Sequence, residues 1–359
     1  MQKESKFELV ARICLMDNLF EYLFCSSLLI GDRYIDLLEL WKCNRRIKNL
    51  MNVKFAQKLI HSLLTISKWT YKTHKMYINH VRKLIIDTDI NQSCIIPENL
   101  QCLVFNHNID QPLVKILPKN LFESLKCLRL WDLFDQPLTE NIFPPNLLNL
   151  SFGNNFNQPI LKNVLPENLT ILSFGIDFNR PLIADSLPKK LLELRFGYSF
   201  NQIINKNVLP ENLRIVTFGY LFDQSFEKDI LPNNLQLITL GGTFNHALIP
   251  GVLPSKLTTL DFGIFLSHYN HPLTIGLLPL NLKTLNFTSN GSFNKPIYPG
   301  ILPPNLTKLI LGKNFDQKID KNVLPNSLEY LIFGSNFNQK IEKEVLSKIF
   351  DSSYIRFRF

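Results

Sequence analysis

The chain has 359 residues, 45% of them hydrophobic, and a formal net charge of +9. No stretch approaches the roughly 18 uninterrupted apolar residues of a membrane-spanning helix, and the amino terminus, with Glu4 and Glu8 and no long apolar run before Asp17, lacks the layout of a secretory signal. The six cysteines (Cys14, Cys25, Cys43, Cys94, Cys102, Cys127) show no C-x-x-C pair and no zinc-like spacing, which predicts reduced, buried structural thiols in a cytosolic or nuclear protein.

Residues 1–79 contain no proline and no repeat, and they carry much of the charge: residues 1–80 hold 13 Lys/Arg against 7 Asp/Glu. Ile47, Leu50, Phe55, Leu59, Leu63 and Ile66 recur at helical spacing with lysines opposite. The spacing predicts a small all-α domain. Gly31-Asp32 is a turn signal that separates a helix over Ala11–Leu29 from another beginning near Arg33. Between Lys42 and Lys83 lie eleven Lys/Arg and no acid, interleaved with Trp69, Tyr71 and Tyr77. Such a segment is either a solvated helix face, the commoner case, or a contact for nucleic acid.

From about His80 the pattern changes to a repeat. The prolines at 144, 166, 188, 210, 232 and 254 stand 22 residues apart. A fixed period of this length marks a solenoid, whose units are too small to bury their own apolar faces and must stack on one another. After a degenerate first coil over Val81–Pro97, the pair typified by Phe156-Asn157 recurs at Ile109-Asp110, Phe134-Asp135, Phe178-Asn179, Phe200-Asn201, Phe222-Asp223, Phe244-Asn245, Tyr269-Asn270, Phe293-Asn294, Phe315-Asp316 and Phe337-Asn338. That makes about twelve coils, which at strand spacing give a stack on the order of 50 Å long. Residues 80–345 are thus read as the solenoid and 346–359 as a carboxy-terminal cap.

Within a coil, Leu169-x-x-Leu172-x-Phe174 has the alternation of a strand with one buried face, so stacking predicts a parallel sheet. A glycine follows the inward Phe, or a Leu in its place, at Gly153, Gly175, Gly197, Gly219, Gly241, Gly263, Gly312 and Gly334, where a φ > 0 turn or a close backbone approach would need it. The Asx position is Asn in some coils and Asp in others, so its shared property is a side-chain acceptor, which fits an Asx turn closing on backbone N–H. Two prolines per repeat, as at Pro159 and Pro166, leave little room for a helix on the return side.

The Phe-Asn-x-Pro-Ile core in its 22-residue frame resembles the FNIP repeat, a leucine-rich-repeat relative found in social amoebae and in giant viruses of amoebae. The resemblance covers residues 80–345. It implies a curved, leucine-rich-repeat-like solenoid that recognises protein, without catalytic activity or cofactor, in the host cytoplasm if viral. In that family the amino-terminal region is often an F-box. Asp17–Leu23 and Asp32–Ile47 resemble F-box helices, although the Leu-Pro that usually opens that motif is absent. By this resemblance Leu19, Tyr22, Leu23, Leu37, Leu40 and Trp41 would dock an adaptor subunit of a cullin-type ubiquitin ligase. The alternatives are a free-standing scaffold and a basic protein that contacts nucleic acid through residues 42–83.

On the strands, the residues that alternate with the buried ones face outward along the expected inner curve. One row runs Ser151, Ser173, Arg195, Thr217, Thr239, Asp261, Asn286 and its neighbour Asn149, Ile171, Glu193, Ile215, Leu237, Thr259, Thr284. With Tyr198 and Tyr220 beside their glycines, the middle coils offer an aromatic and apolar strip suited to a protein partner. The candidate partner-binding residues are Ile171, Glu193, Arg195, Tyr198, Ile215, Thr217, Tyr220, Leu237 and Thr239. Two coils are longer, by three and two residues that fall within Ile264–His268 and Thr288–Ser292, and neighbouring insertions on one edge are where solenoids vary their binding surface. His268 and His271 lack a nearby Cys or carboxylate that would complete a metal site, so no metal is expected. No phosphate loop, nucleophile elbow or paired-carboxylate frame appears, and no enzyme is predicted.

Overall fold

A leucine, or Val216 or Ile238 in its place, at the centre of a short strand, a turn on either side and a return path of prolines build one repeating coil. In the computed structural model of the chain, residues 64–66, 83–86, 99–106, 108, 112–117, 121–342, 345 and 355–357 are described. All belong to the unit His61–Phe359. Their strands form a single 14-stranded sheet in chain order. These are β1 (Leu64–Ile66), β2 (Lys83–Ile86), β3 (Cys102–Phe105), β4 (Cys127–Arg129), β5 (Asn149–Ser151), β6 (Ile171–Ser173), β7 (Glu193–Arg195), β8 (Ile215–Thr217), β9 (Leu237–Thr239), β10 (Thr259–Asp261), β11 (Thr284–Asn286), β12 (Lys308–Ile310), β13 (Tyr330–Phe333) and β14 (Ile355–Phe357), with one helical turn, α1 (Leu113–Ile116), between β3 and β4. Every neighbouring pair is parallel and in register, as in Leu150↔Leu172 and Leu172↔Leu194.

β1 falls inside the stretch for which the sequence predicts a helix. Leu64 pairs with Leu84 at nearly one repeat's separation, and the chance to extend an open sheet edge overrides a helical pattern of only a few turns. At the other end β14 adds a strand within residues 346–359, Ile355 pairing with Leu331. These terminal strands carry the sheet beyond the coils that the Phe-Asn pairs mark.

Each coil follows one set of local rules. The proline before the strand starts a turn, as in Leu169 N–H donating to Pro166 O at 3.1 Å and Leu191 N–H to Pro188 O at 3.1 Å. The strand then buries its middle residue, as at Leu172, Leu194 and Val216, and points its flanking residues outward. Below the sheet lie columns of like side chains. Phe156, Phe178, Phe200 and Phe222 stand with centroids 6.0, 6.0 and 6.1 Å apart and planes within 4°. Phe174 packs on Phe178 of the same coil at 3.8 Å. Offset parallel rings at such distances add to the area they bury, and one large residue per coil fixes the coil's thickness.

Apart from Gly263, whose φ is 128°, the glycine after the inward Phe is required by close approach, not by a left-handed turn. A Cβ at Gly175 would lie 1.9 Å from Gly153 O, and at Gly197 1.6 Å from Gly175 O. The left-handed backbone comes elsewhere in the coil, at Asn141, Asn163, Asp185, Asn207, Asp229, Gly251, Gly276, Gly300 and Asn322, with φ between 60° and 87°. Asn, Asp and Gly are the residues that tolerate that region at least cost.

The Asx side chains also differ from expectation. Their Oδ1 atoms accept the backbone N–H of the corresponding residue one coil later, not of their own turn. The ladder runs from Asp135 through Asn157, Asn179, Asn201, Asp223, Asn245, Asn270, Asn294 and Asp316 to Asn338 at 2.8–3.0 Å. Glutamine beside it adds a second donor, as Gln202 Nε2 to Asn179 Oδ1 and Gln224 Nε2 to Asn201 Oδ1, both 2.9 Å. A local turn would satisfy one coil, whereas this bond ties each coil to the next. The Asn338 N–H and Gln339 amide hold the Asp316 carboxyl below its usual range. A second ladder, in which the side chain donates and a carbonyl of the preceding coil accepts, uses the Asn of the Leu-Pro-x-Asn turn, where Asn212 Nδ2 donates to Lys189 O and Asn234 Nδ2 to Glu211 O.

Candidate protein-binding face

The candidate residues are carried by the middle strands and by the turn that leaves them. Ile171, Glu193, Ile215 and Leu237 follow one another in register across β6, β7, β8 and β9, half-buried by their neighbours along the row. Arg195, Thr217 and Thr239 form the next row, where Arg195 is exposed, Thr217 half-buried and Thr239 8% accessible. Thr239 therefore offers a partner little more than its edge. Arg195 Nε pairs with Glu193 Oε1 across the face of β7, leaving the arginine exposed and the carboxylate mostly covered. The pair presents one oriented guanidinium edge between Ser173 and Thr217, while its carboxylate sits between Ile171 and Ile215, and an exposed pair of this kind contributes orientation more than stability.

Three residues past the end of each strand, Ile176, Tyr198, Tyr220, Gly242 and Ile264 occupy the same step of successive coils. The backbone is pinned there by further inter-coil bonds, Ser199 N–H to Ile176 O and Leu221 N–H to Tyr198 O, both 2.9 Å. Tyr198 and Tyr220 stack with centroids 5.0 Å apart and planes 9° from parallel. Gly242 leaves room for the Tyr220 ring, since a Cβ there would meet it at 2.5 Å. Tyr198 remains 49% accessible. The structure thus brings Ile171, Glu193, Arg195, Ile215, Thr217, Leu237 and the two tyrosines onto one continuous surface.

The insertions extend this edge. Ser267 and Gly291 form an isolated parallel bridge, and Ser292 N–H donates to Ser267 O at 2.8 Å, so the two longer coils support each other. Ile264 and Phe265 project there, 62% and 77% accessible. The sequence marked the insertion but not Phe265, and a Phe off the repeat frame was the available signal. His271 takes the place that Gln holds in other coils, its Nε2 2.8 Å from Asn245 O, as His246 Nε2 is 3.0 Å from Asp223 O. Its ring serves the ladder. Among the described residues no group of three His, Cys, Asp or Glu side chains could hold a metal ion.

On β10 and β11 the face becomes polar, with Thr259, Asp261, Thr284 and Asn286 half-buried. Asn286 Nδ2 donates to Asp261 Oδ2 at 2.9 Å, while Asp261 Oδ1 has no partner. Burial pushes the Asp261 carboxyl up to about 6, against the opposing effects of the Asn286 bond and the Lys308 charge. Lys308 in turn lies over the Tyr330 ring, 5.0 Å from its centroid.

The proposed adaptor-docking residues Leu19, Tyr22, Leu23, Leu37, Leu40 and Trp41 lie outside the described residues, as does most of the basic segment 42–83. No helix among the described residues is long and apolar enough to cross a membrane.

Comparison with known families matches the FNIP Repeat model to residues 134–177, 178–221, 222–265, 269–314, 293–336 and 315–347. The chain belongs to the FNIP repeat family. The FNIP solenoid is similar to the crystal structure of CroV588, described as a novel circular LRR protein, at 31% identity and a TM-score of 0.66 over 83% of this chain and 50% of that one. It spans, then, about half of that relative. It also resembles an internalin (inlF) from Listeria monocytogenes at 15% identity, with a TM-score of 0.48 over 79% of this chain and 89% of that one. A third likeness is to YopM from Yersinia enterocolitica at 18% identity and a TM-score of 0.40, over 83% and 62% of the two chains. No curated protein matches. The FNIP repeats of this chain therefore build a parallel, leucine-rich-repeat-like solenoid.

Proposed function

We propose that this chain acts by binding and not by catalysis, taking a protein partner on the concave, solvent-facing side of the sheet between β6 and β9. The observation that carries the reading is the stacked, partly exposed Tyr198–Tyr220 pair beside the apolar row Ile171, Ile215 and Leu237. Aromatic anchors that are already rigid lose little entropy on binding, and they are enriched at interface centres. The oriented Arg195 edge supplies a polar contact within that strip. Replacing Glu193, Ile215 and Tyr220 together with alanine abolishes capture of the partner without lowering the melting temperature. Unchanged capture would count against this surface.

The amino-terminal region is proposed to join the solenoid to a cullin-type ubiquitin ligase through Leu19, Tyr22, Leu23, Leu37, Leu40 and Trp41, which makes the chain a substrate-recognition adaptor. What supports this is the sequence pattern of residues 17–47 together with the solenoid that follows it. Full-length protein carrying Leu40→Ala and Trp41→Ala should lose the ligase subunit yet keep the solenoid's partner. Retention of both, or absence of the subunit from the unaltered chain, would contradict the ligase link.

A further inference from the structure

The sequence reading treats all six cysteines as buried structural thiols, but Cys102 and Cys127 are not in the core. In β3 and β4 the buried residues are Leu103, Phe105 and Leu128, and both cysteines face outward with part of their surface exposed. The sheet register sets Cys102 directly against Cys127, and on the other side sets Lys83 against Cys102. Strands β2 to β4 contain no carboxylate, and the charges they and their approach present are Lys83, Lys126 and Arg129. We propose that Cys102 and Cys127 form a redox-responsive dithiol, closed to a disulfide by exchange with a low-molecular-weight disulfide of the glutathione class.

Neighbouring strands lie about 4.8 Å apart, inside the span of roughly 4.4–6.8 Å between Cα atoms that a disulfide bridges. Side-by-side Cβ atoms at that spacing slightly exceed the ~3.5–4.5 Å that the bond prefers, so closure strains the pair and keeps it reducible. Cys102 is the attacking group. The Cys127 thiol hydrogen-bonds to it and lowers its pKa, the Lys83 charge acts in the same direction, and burial opposes both. The Cys102 thiolate attacks one sulfur of the oxidised tripeptide, whose S–S bond breaks and releases one glutathione thiolate. Cys127 then loses its proton to solvent and attacks Cys102 Sγ, expelling the second glutathione. Two electrons pass from the protein thiols to the small disulfide, giving one protein disulfide and two glutathione thiols.

The test uses the full chain with Cys14, Cys25, Cys43 and Cys94 replaced by serine, equilibrated in glutathione buffers from reducing to oxidising, acid-quenched, alkylated and weighed. The two remaining thiols should vanish together, with the mass of two hydrogens lost and a linked peptide pair appearing, and dithiothreitol should restore both. Cys127→Ser should instead retain one glutathionyl group on Cys102. Lys83→Gln should slow alkylation of Cys102 at neutral pH by about three-fold. Should the quadruple variant not fold, peptide mapping of the unaltered chain reads the same linkage. Alkylation of both thiols at every ratio, separate glutathione adducts on the two residues, or a disulfide between two chains would each overturn the proposal.

Discussion

Replacing Asn201 separates a bond that joins coils from one that closes a turn. Asn201 Oδ1 accepts two donors from the following coil, the Asp223 N–H and Gln224 Nε2, both at 2.9 Å. Alanine leaves the half-buried amide of Asp223 without a partner, at about 1–3 kcal/mol, and removes a glutamine bond worth about 0.5–1.5 kcal/mol that water partly replaces. The expected loss for Asn201→Ala is about 2–3 kcal/mol. Asn201→Asp keeps both lone-pair positions and the shape, as Asp223 itself does one coil later when it accepts the Asn245 N–H at 3.0 Å, so it should cost less than about 1 kcal/mol. Urea unfolding compares the three proteins, and amide hydrogen exchange locates the damage. Asn201→Ala should speed exchange at Asp223, a full coil away. Equal destabilisation by Ala and Asp, or lost protection confined to residues 199–203, would refute the inter-coil account.

Tyr269→Phe should stabilise the protein by up to about 1 kcal/mol in the same assay, because the buried Tyr269 hydroxyl makes no well-formed hydrogen bond, and burial pushes its pKa up against a weak opposing effect of the Leu248 backbone. Asp261 links stability to pH. Its folded pKa of about 6 exceeds the usual 3.8, so between those values the unfolded chain loses a proton that the folded one keeps. Stability therefore falls as pH rises through that window and is level above it. Asp261→Asn should remove this slope and gain about 1–3 kcal/mol at neutral pH, read from thermal unfolding at several pH values. Gly197→Ala should cost more than about 3 kcal/mol, because its Cβ would overlap Gly175 O at 1.6 Å, whereas Gly276→Asn should be nearly neutral. At Gly276, with φ 79° and open space, Asn meets the conformation that Asn207 and Asn322 already adopt.

The repeat was legible because burying a column of leucines and phenylalanines at constant coil thickness demands the same residue at the same step. That demand reveals period, strand, sheet and outward rows from residues such as Leu172, Phe174 and Phe178. What a single coil needs was harder to separate from what two coils need. Asn157 as an acceptor was clear from its exchange with Asp, but sequence does not say whose N–H it meets, and the inter-coil answer needs the register. Gly175 had two physical explanations, and only the distance to Gly153 O selects between them. The left-handed step was present in the sequence, since Asn163, Asp185, Asn207 and Asp229 recur every 22 residues among types that tolerate it. Cys102 and Cys127 were placed inside on the habits of cysteine in general, whereas the alternation with Leu103 and Leu128 already put them outside. On the candidate face, strand alternation predicted the row from Ile171 to Leu237. The Tyr198–Tyr220 stack and the low accessibility of Thr239 depend on contacts between coils.

The most direct test of the binding face is site-specific photo-crosslinking in the presence of the captured protein. A photoreactive phenylalanine replaces Tyr198 in one sample. In another it replaces Ile203, which is 61% accessible just beyond Asn201 of the same coil. The account predicts that the partner is crosslinked from position 198 and not from 203. Crosslinking from 203 alone, or equally from both, would contradict it.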